Sequence, residues 1–161
     1  MASSSSGGYV SRYDVFLSFR AETRNKFTDH LYDKLLRAGV FTFRDNDAIS
    51  RGEDLKPEIE RGIRESRASI IVLSKEYATS RWCLDELCVI LEQRKERNHF
   101  VLPIFYGVDP SDVRKQDGPF KIEVIANTKW TEENVGRWKA ALEKVGNMTG
   151  EVANGYVLLK F

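Results

Sequence analysis

The sequence is poor in the residues that build metal centres and disulfide frameworks, with two cysteines and two histidines among 161 residues. Cys83 and Cys88 lie five residues apart on one predicted helix, a spacing that does not suit a disulfide. No Cys/His cluster has metal-ligand spacing, so we expect no metal site. Free cysteines are typical of a reducing compartment such as the cytoplasm.

The chain also lacks a strong charge imbalance and a long apolar run. The formal net charge of +1 does not indicate attraction of the whole molecule to nucleic acid or to a membrane. No apolar stretch is long enough to cross a bilayer. The start, "MASSSSGGYVSR", lacks the apolar core of a signal peptide, and residues 1–11 are predicted to be a flexible tail. The remaining length and composition are typical of one soluble globular domain.

Apolar runs that predict strands alternate with segments of helical periodicity. Strands are predicted at 13–19, 40–43, 69–73 and 100–106, and helices around 26–39, 55–63, 82–92 and 135–145. This alternation predicts a three-layer α/β domain in which right-handed crossovers join parallel strands. Ligands bind such sheets beyond the carboxyl ends of the strands, which makes the residues after each strand candidates for a site. The apolar end, "GYVLLKF", is predicted to be a short edge strand or a sequence foreign to the domain.

The stretch "SRWCLDEL" contains two adjacent acids, Asp85 and Glu86, whose side chains point in different directions if the stretch is helical. At about 100° per residue, an apolar stripe is formed by Leu84, Leu87, Cys88 and Leu91. Asp85 falls on the far side and is expected to be solvated. Glu86 falls at the edge of the stripe, with Trp82 and Ile90 as its i,i+4 neighbours. We expect a partly shielded carboxylate that either stabilises a cation or pairs with a nearby arginine.

Three motifs resemble the TIR (Toll/interleukin-1 receptor) domains of plant immune receptors. They are "YDVFLSFR", "FRDNDAISRGEDLKPEIERGIRESRASIIVLSKEYATSRWCLDELCVILE" and "VLPIFYGVDPSDVRKQDGPF", in the family's order. The resemblance covers roughly residues 13–150 and implies a flavodoxin-like fold with a five-stranded parallel sheet surrounded by helices. It places a TIR domain at 12–150 and a tail or truncated linker at 151–161.

The resemblance also implies an activity, cleavage of the nicotinamide–ribose bond of NAD or NADP as substrate, with no tightly bound cofactor. The nucleotide products would act as signals in plant innate immunity and cell death, read by lipase-like helper proteins. It implies a protein of the cytoplasm, and of the nucleus as a further location, without a membrane partner.

The family's catalytic glutamate maps onto Glu86, and its motif tryptophan maps onto Trp82, which could wall the pocket. Nicotinamide leaves as a neutral group and needs no general acid, so one carboxylate near the ribose can stabilise the oxocarbenium-like charge. The resemblance implies that Phe19 stacks on a ring of the nucleotide, with an ordinary core position as the alternative. It implies that Arg20 binds a phosphate, with a surface ion pair as the alternative.

Further substrate contacts are implied for Arg44 and Asp45, in a loop over 44–53 that would gate the pocket with Gly52 as hinge. The sequence reads "FRAETR" where many members read "FRGEDTR", one residue shorter and with Ala21 where Gly is usual, so the family's loop shape does not carry over to this chain.

Activity in the family depends on self-association. One interface would use Asp29 and His30 on the first helix. A second would use Gly136 and Arg137 on a late helix, where Trp138 is better explained as core.

Two other functions are open at this point. A non-enzymatic TIR–TIR scaffold would assemble without turning over NAD. A nucleotide cyclase or nuclease acting on RNA or DNA would use a basic stripe such as "RKERNH", which is more often a solvated helix end. A phosphoacceptor receiver is disfavoured because strand three ends in Leu73 and Ser74, and a flavodoxin because "RAETR" is a poor phosphate loop.

Overall fold

In the part of the chain that the structure describes, five parallel strands form one sheet. The computed structural model describes residues 11–20, 27–44 and 55–153. The strands are β1 (Tyr13–Ser18), β2 (Thr42–Arg44), β3 (Ser66–Leu73), β4 (Phe100–Tyr106) and β5 (Glu151–Ala153). Their order is β2-β1-β3-β4-β5, and every neighbouring pair is parallel. The predicted α/β class with a five-stranded parallel sheet is confirmed. The strand order reverses between β1 and β3, whose carboxyl ends therefore flank the crevice that such sheets use for ligands.

The described residues between the strands include five α-helices: α1 (Asp29–Arg37), α2 (Pro57–Arg64), α3 (Arg81–Arg97), α4 (Pro110–Lys115) and α5 (Glu132–Gly146). The longest, α3, begins where the Ser80 hydroxyl accepts a hydrogen bond from the Cys83 amide at 3.2 Å. It ends at Asn98, which adopts the left-handed conformation common after a helix. A short 3₁₀ turn, Tyr77–Thr79, joins β3 to α3.

Apolar residues cover both faces of the sheet. The face under α1 has a buried cluster that includes Leu17, Leu31, Ile70 and Ile104. The opposite face packs against α2, α3 and α5 through residues that include Phe16, Ile63, Leu87 and Trp138. Successive residues of a strand point to opposite faces. Along β1, Phe16 and Ser18 therefore face α3, whereas Leu17 and Phe19 face α1.

The sheet extends past the predicted end of the domain at residue 150. Glu151–Ala153 form β5 and pair with Ile104 to Tyr106 of β4, so the fifth strand lies just before the stretch "GYVLLKF". That stretch and most of the predicted tail at 1–11 lie outside the described residues. Within the described ranges, no helix has the length and apolar character needed to cross a membrane.

Candidate functional site

Glu86 lies in the second turn of α3 with its carboxylate turned towards the end of β1. Its Oε1 accepts a hydrogen bond from the Ser18 hydroxyl at 2.6 Å, and its Oε2 accepts one from the Trp82 indole N–H at 3.0 Å. The residue is 3% exposed, which is deeper than the partial shielding that helical periodicity predicted. Each carboxylate oxygen therefore has a neutral donor, at the edge where the strand order reverses.

Tyr77 extends this cluster from the 3₁₀ turn. Its hydroxyl lies 2.8 Å from Ser18 Oγ and 3.1 Å from the carbonyl oxygen of Cys83. Burial raises the pKa of Tyr77 well above its usual range, and nearby Cys83 and Glu86 raise it further. The phenol is therefore a neutral hydrogen-bonding group under ordinary conditions.

Sequence reasoning did not single out Ser18 or Tyr77. For Ser18, the sequence did contain a signal, since it is a polar residue in the apolar strand "YDVFLSF", on the same buried face as Phe16. A buried serine hydroxyl requires a hydrogen-bonding partner, and here that partner is the carboxylate.

Trp82 combines an apolar wall with a polar edge. It is 8% exposed, and its N–H is directed to Glu86. The Lys56 ammonium, immediately before α2, lies 5.9 Å from the centre of the indole ring, close enough for a cation–π attraction. Lys56, also absent from the predicted site, thus places a positive charge near the tryptophan that contacts Glu86.

Phe19 and Arg20 follow β1 directly. The Phe19 ring packs against the core on the α1 face, opposite the side that Ser18 faces. This placement agrees with the core interpretation of Phe19, and its role in stacking remains a prediction. The Phe19 carbonyl accepts a hydrogen bond from the Cys83 thiol at 3.4 Å, which ties the end of β1 to α3. Arg20 is half-buried at this strand end, and its phosphate contact also remains a prediction.

Arg44 and Asp29, predicted for substrate binding and self-association respectively, form an ion pair with each other. Arg44 Nη1 lies 2.6 Å from Asp29 Oδ1, and the guanidinium lies 3.9 Å from the centre of the Tyr32 ring. These contacts fasten the end of β2 to α1. The neighbouring Asp45 and the rest of the predicted gating loop through Gly52 lie outside the described residues.

The other residues predicted for self-association are accessible. His30 on α1 and both Gly136 and Arg137 on α5 are exposed. Arg137 also lies 3.3 Å from Asp85 of the same chain. Their part in assembly remains a prediction.

The prediction that Asp85 is solvated is wrong, because α5 covers that side of α3. Asp85 Oδ1 accepts a hydrogen bond from the indole N–H of Trp138 at 2.9 Å. Trp138 is completely buried, as the core interpretation required. Next to this contact, burial raises the pKa of Cys88 to about 11, so its sulfur remains a thiol near neutral pH. Of the two adjacent acids, Asp85 joins two helices and Glu86 faces the end of the sheet.

A basic groove of about 1040 Å³ lies at the other end of α3. Arg94, Lys95 and Lys144 line it together with His99 and Phe100. The basic stripe at 94–99 therefore contributes to a concave surface, although His99 itself is buried. Among the described residues, no group of three or more Cys, His, Asp or Glu side chains could hold a metal ion.

Comparison with known proteins supplies the family. The sequence profile described as "TIR domain" matches residues 12–156. Disease resistance protein RPV1 of Vitis rotundifolia is 52% identical over 139 residues, which cover 86% of this chain and 10% of that protein. TMV resistance protein N of Nicotiana glutinosa is 46% identical over 158 residues, which cover 96% of this chain and 14% of that protein.

A solved structure shares the fold. It contains the TIR domains of the activated Roq1 resistosome, which directly recognises the pathogen effector XopQ. It matches with a TM-score of 0.77 and 42% identity, covering 87% of each chain. The present chain thus corresponds to a small part of the curated relatives, between a tenth and a seventh of their length.

Proposed function

This chain belongs to the TIR domain family, and we propose that it cleaves the nicotinamide–ribose bond of NAD or NADP. The observation that carries the proposal is the Glu86 carboxylate, held on both oxygens by neutral donors at the carboxyl edge of the sheet. These two hydrogen bonds fix the orientation of the carboxylate and can hold its negative charge close to a reacting centre. This is the arrangement that a developing positive charge on a ribose requires.

The reaction needs one negatively charged group and little proton transfer to the leaving group. The bond between C1′ and the nicotinamide nitrogen breaks, and its electron pair leaves with neutral nicotinamide. The positive charge that remains on the ribose is stabilised by Glu86, and water then adds to C1′ with loss of a proton. Two carboxylates, as in ordinary glycosidases, are unnecessary because the leaving group is already cationic.

The neighbouring side chains support a dinucleotide substrate in this proposal. Trp82 forms an apolar wall beside the carboxylate, and Lys56 lies over its ring. Arg20, at the end of β1, is proposed to bind a phosphate of the substrate. Phe19, Arg44 and Asp45 are the weaker candidates, since Phe19 packs into the core and Arg44 is paired with Asp29.

We propose that self-association switches the activity on. Glu86 is almost inaccessible in the single chain, so a substrate can reach it only after a local rearrangement that an assembled state could favour. The resemblance to the TIR domains of a resistosome supports assembly. The exposed surfaces around His30 and Gly136 are the candidate interfaces.

The proposed role is signalling in plant innate immunity, including cell death, with nucleotide products read by lipase-like helper proteins. The similarity to plant disease resistance proteins supports this role. We propose that the protein acts in the cytoplasm, with the nucleus as a further location.

A non-enzymatic TIR–TIR scaffold is the second candidate, and one observation favours it. The same burial that holds Glu86 in place leaves 3% of it exposed, as expected for a carboxylate whose role is to join α3 to β1. The scaffold predicts assembly without release of nicotinamide.

The two candidates differ in an assay of released nicotinamide at low and high protein concentration. We expect release that rises more than linearly with concentration, and a loss of about 100-fold or more in Glu86→Ala. Asp85→Asn is the matched control, because it changes the adjacent acid on the same helix and should retain activity. A folded, self-associated sample without release would favour the scaffold, and equal release from wild type and Glu86→Ala would exclude Glu86 as the catalytic group.

A further inference from the structure

The hydrogen bonds around Glu86 continue through two hydroxyl groups and end on a peptide carbonyl. Glu86 Oε1 lies 2.6 Å from Ser18 Oγ, which lies 2.8 Å from the Tyr77 hydroxyl. The Tyr77 hydroxyl lies 3.1 Å from the carbonyl oxygen of Cys83. Ser18 and Tyr77 are completely buried, so water does not compete for these bonds.

The number of protons determines the direction of the bonds. Each hydroxyl has one proton to donate. When Glu86 is a carboxylate it can only accept, so Ser18 donates to Glu86 and in turn accepts the proton of Tyr77. The Tyr77 proton is then directed to Ser18 Oγ and away from the Cys83 carbonyl.

The same atoms can also accommodate a protonated Glu86. The carboxylic acid would donate to Ser18 Oγ, Ser18 would donate to the Tyr77 oxygen, and Tyr77 would donate to the Cys83 carbonyl. The Glu86–Ser18 and Ser18–Tyr77 bonds reverse direction without any movement of the oxygen atoms, and the Tyr77 proton passes from Ser18 to the Cys83 carbonyl. Without the second hydroxyl, Ser18 would have no acceptor for its own proton once the protonated Glu86 donates to it, and one hydrogen bond would be lost in that state.

We propose that Ser18 and Tyr77 are positioning residues, which hold the Glu86 carboxyl in one orientation through hydrogen bonds that reverse direction when Glu86 gains or loses a proton. This inference rests on the proposed function, because the reversal of the hydrogen bonds is given a role in the proposed cleavage of NAD. When water adds to C1′ of the ribose, its oxygen forms the new bond and one of its protons passes to Glu86 and then to solvent. The relay keeps the carboxyl in place throughout that step.

The groups that face this cluster are compatible with such a relay. Tyr77 remains a phenol because burial raises its pKa well above the usual range. Cys83 is the second titratable group beside Tyr77, and its thiol donates a hydrogen bond to the Phe19 carbonyl at 3.4 Å. The Lys56 ammonium lies 5.9 Å from the centre of the Trp82 ring, whose N–H donates to Glu86.

Two variants test the relay by kinetics. Ser18→Ala removes the direct donor and should lower kcat by about 10- to 100-fold, whereas Tyr77→Phe, which keeps the ring, should lower it by about 3- to 10-fold. KM should change by less than about threefold in both, because neither side chain is expected to touch the substrate. The acidic limb of the pH–rate profile should move to higher pH, since the carboxylate has lost donors. Ser18→Thr, which restores a hydroxyl, should recover part of kcat.

Matched controls separate the relay from a general loss of packing. Ser69→Ala removes another buried serine hydroxyl, which bonds to His99 at 2.7 Å, and Tyr106→Phe removes a tyrosine hydroxyl at the end of β4. Both should leave kcat and the pH profile unchanged. If Tyr77→Phe, folded and assembled, keeps both the wild-type kcat and the wild-type acidic limb, the relay is excluded.

A measurement without turnover distinguishes failure of the relay from failure of the proposed function. The carboxyl carbon of Glu86 can be titrated by NMR in protein labelled at glutamate, with Glu86→Gln to assign the signal. A titration midpoint that rises in Ser18→Ala and Tyr77→Phe, and not in the controls, supports the relay even if wild type releases no nicotinamide. Nicotinamide release that depends on Glu86, together with an unchanged midpoint in both variants, would overturn the relay and leave the proposed function intact.

Discussion

Two adjacent residues, Asp85 and Glu86, illustrate how a single helix directs carboxylates to different tasks. Glu86 accepts a hydrogen bond from Ser18 at the end of β1, whereas Asp85 accepts one from the indole N–H of the buried Trp138 on α5.

In Asp85→Ala the indole N–H of Trp138 would lose its acceptor in an apolar environment, at a cost of about 1–3 kcal/mol in the free energy of unfolding. Urea unfolding measures this loss, and Asp85→Asn, which keeps an acceptor oxygen, should be destabilised less. Arg137→Ala should cost under about 1 kcal/mol, because the exposed ion pair with Asp85 contributes little. Equal losses in Asp85→Ala and Arg137→Ala would contradict the importance of the indole bond.

At the scale of elements, Arg97 joins the carboxyl ends of two helices. From the last turn of α3 its Nη2 donates to the carbonyl oxygens of Arg64 at 2.7 Å and Ser66 at 2.8 Å, and it also reaches that of Ile63 at 3.2 Å. The carbonyls of Ile63 and Arg64 belong to the last turn of α2, where a helix has no i+4 amides of its own to donate to them, and Ser66 begins β3. Arg97→Ala should therefore destabilise the protein by about 1.5–3 kcal/mol. Amide hydrogen exchange should rise most at the end of α2 and the start of β3. Arg94→Ala, an exposed arginine one turn earlier, is the matched control, and a similar exchange pattern in both variants would refute the role of Arg97.

At the scale of the whole molecule, the buried His99 makes stability depend on pH. Its Nε2 lies 2.7 Å from Ser69 Oγ, and burial together with the charge of Arg97 lowers the pKa of His99 from 6.5 to about 4, although the Ser66 carbonyl opposes this shift. Between these values the unfolded chain binds a proton that the folded protein excludes. The contribution of His99 to the free energy of unfolding is therefore fully present above pH 6.5. It is lost as the pH decreases towards 4, by up to about 1.4 kcal/mol per pH unit.

Thermal or urea unfolding across this range checks the pH dependence. His99→Gln removes the titrating group, so its stability should fall less steeply than that of wild type between pH 6.5 and pH 4. The exposed His30 provides the control, since His30→Gln should leave the wild-type slope unchanged. A slope in His99→Gln equal to that of wild type would assign the dependence to carboxylates elsewhere.

The sequence predicted the sheet and its key acid better than it predicted the neighbours of that acid. Helical spacing placed Glu86 beside Trp82, which is confirmed because residues i and i+4 are neighbours on any helix. It predicted partial shielding, whereas the structure buries Glu86 almost completely. Spacing could not identify Ser18, which lies 68 residues away and reaches Glu86 only because β1 and β3 are adjacent in the sheet. Asp85 was misassigned for the same reason. The helical pattern defines a direction relative to the axis of α3, and it does not show that α5 lies in that direction.

The family resemblance and the alternation of strands and helices already determined the architecture, because local periodicity and the handedness of crossovers leave few arrangements open. The sequence also singled out Glu86 as the candidate acid, and its catalytic role stays a prediction. Only the tertiary structure decided which groups surround that acid, that Arg44 pairs with Asp29, and that the sheet includes Glu151–Ala153. These features depend on contacts between distant parts of the chain, whose geometry is set when the layers pack together.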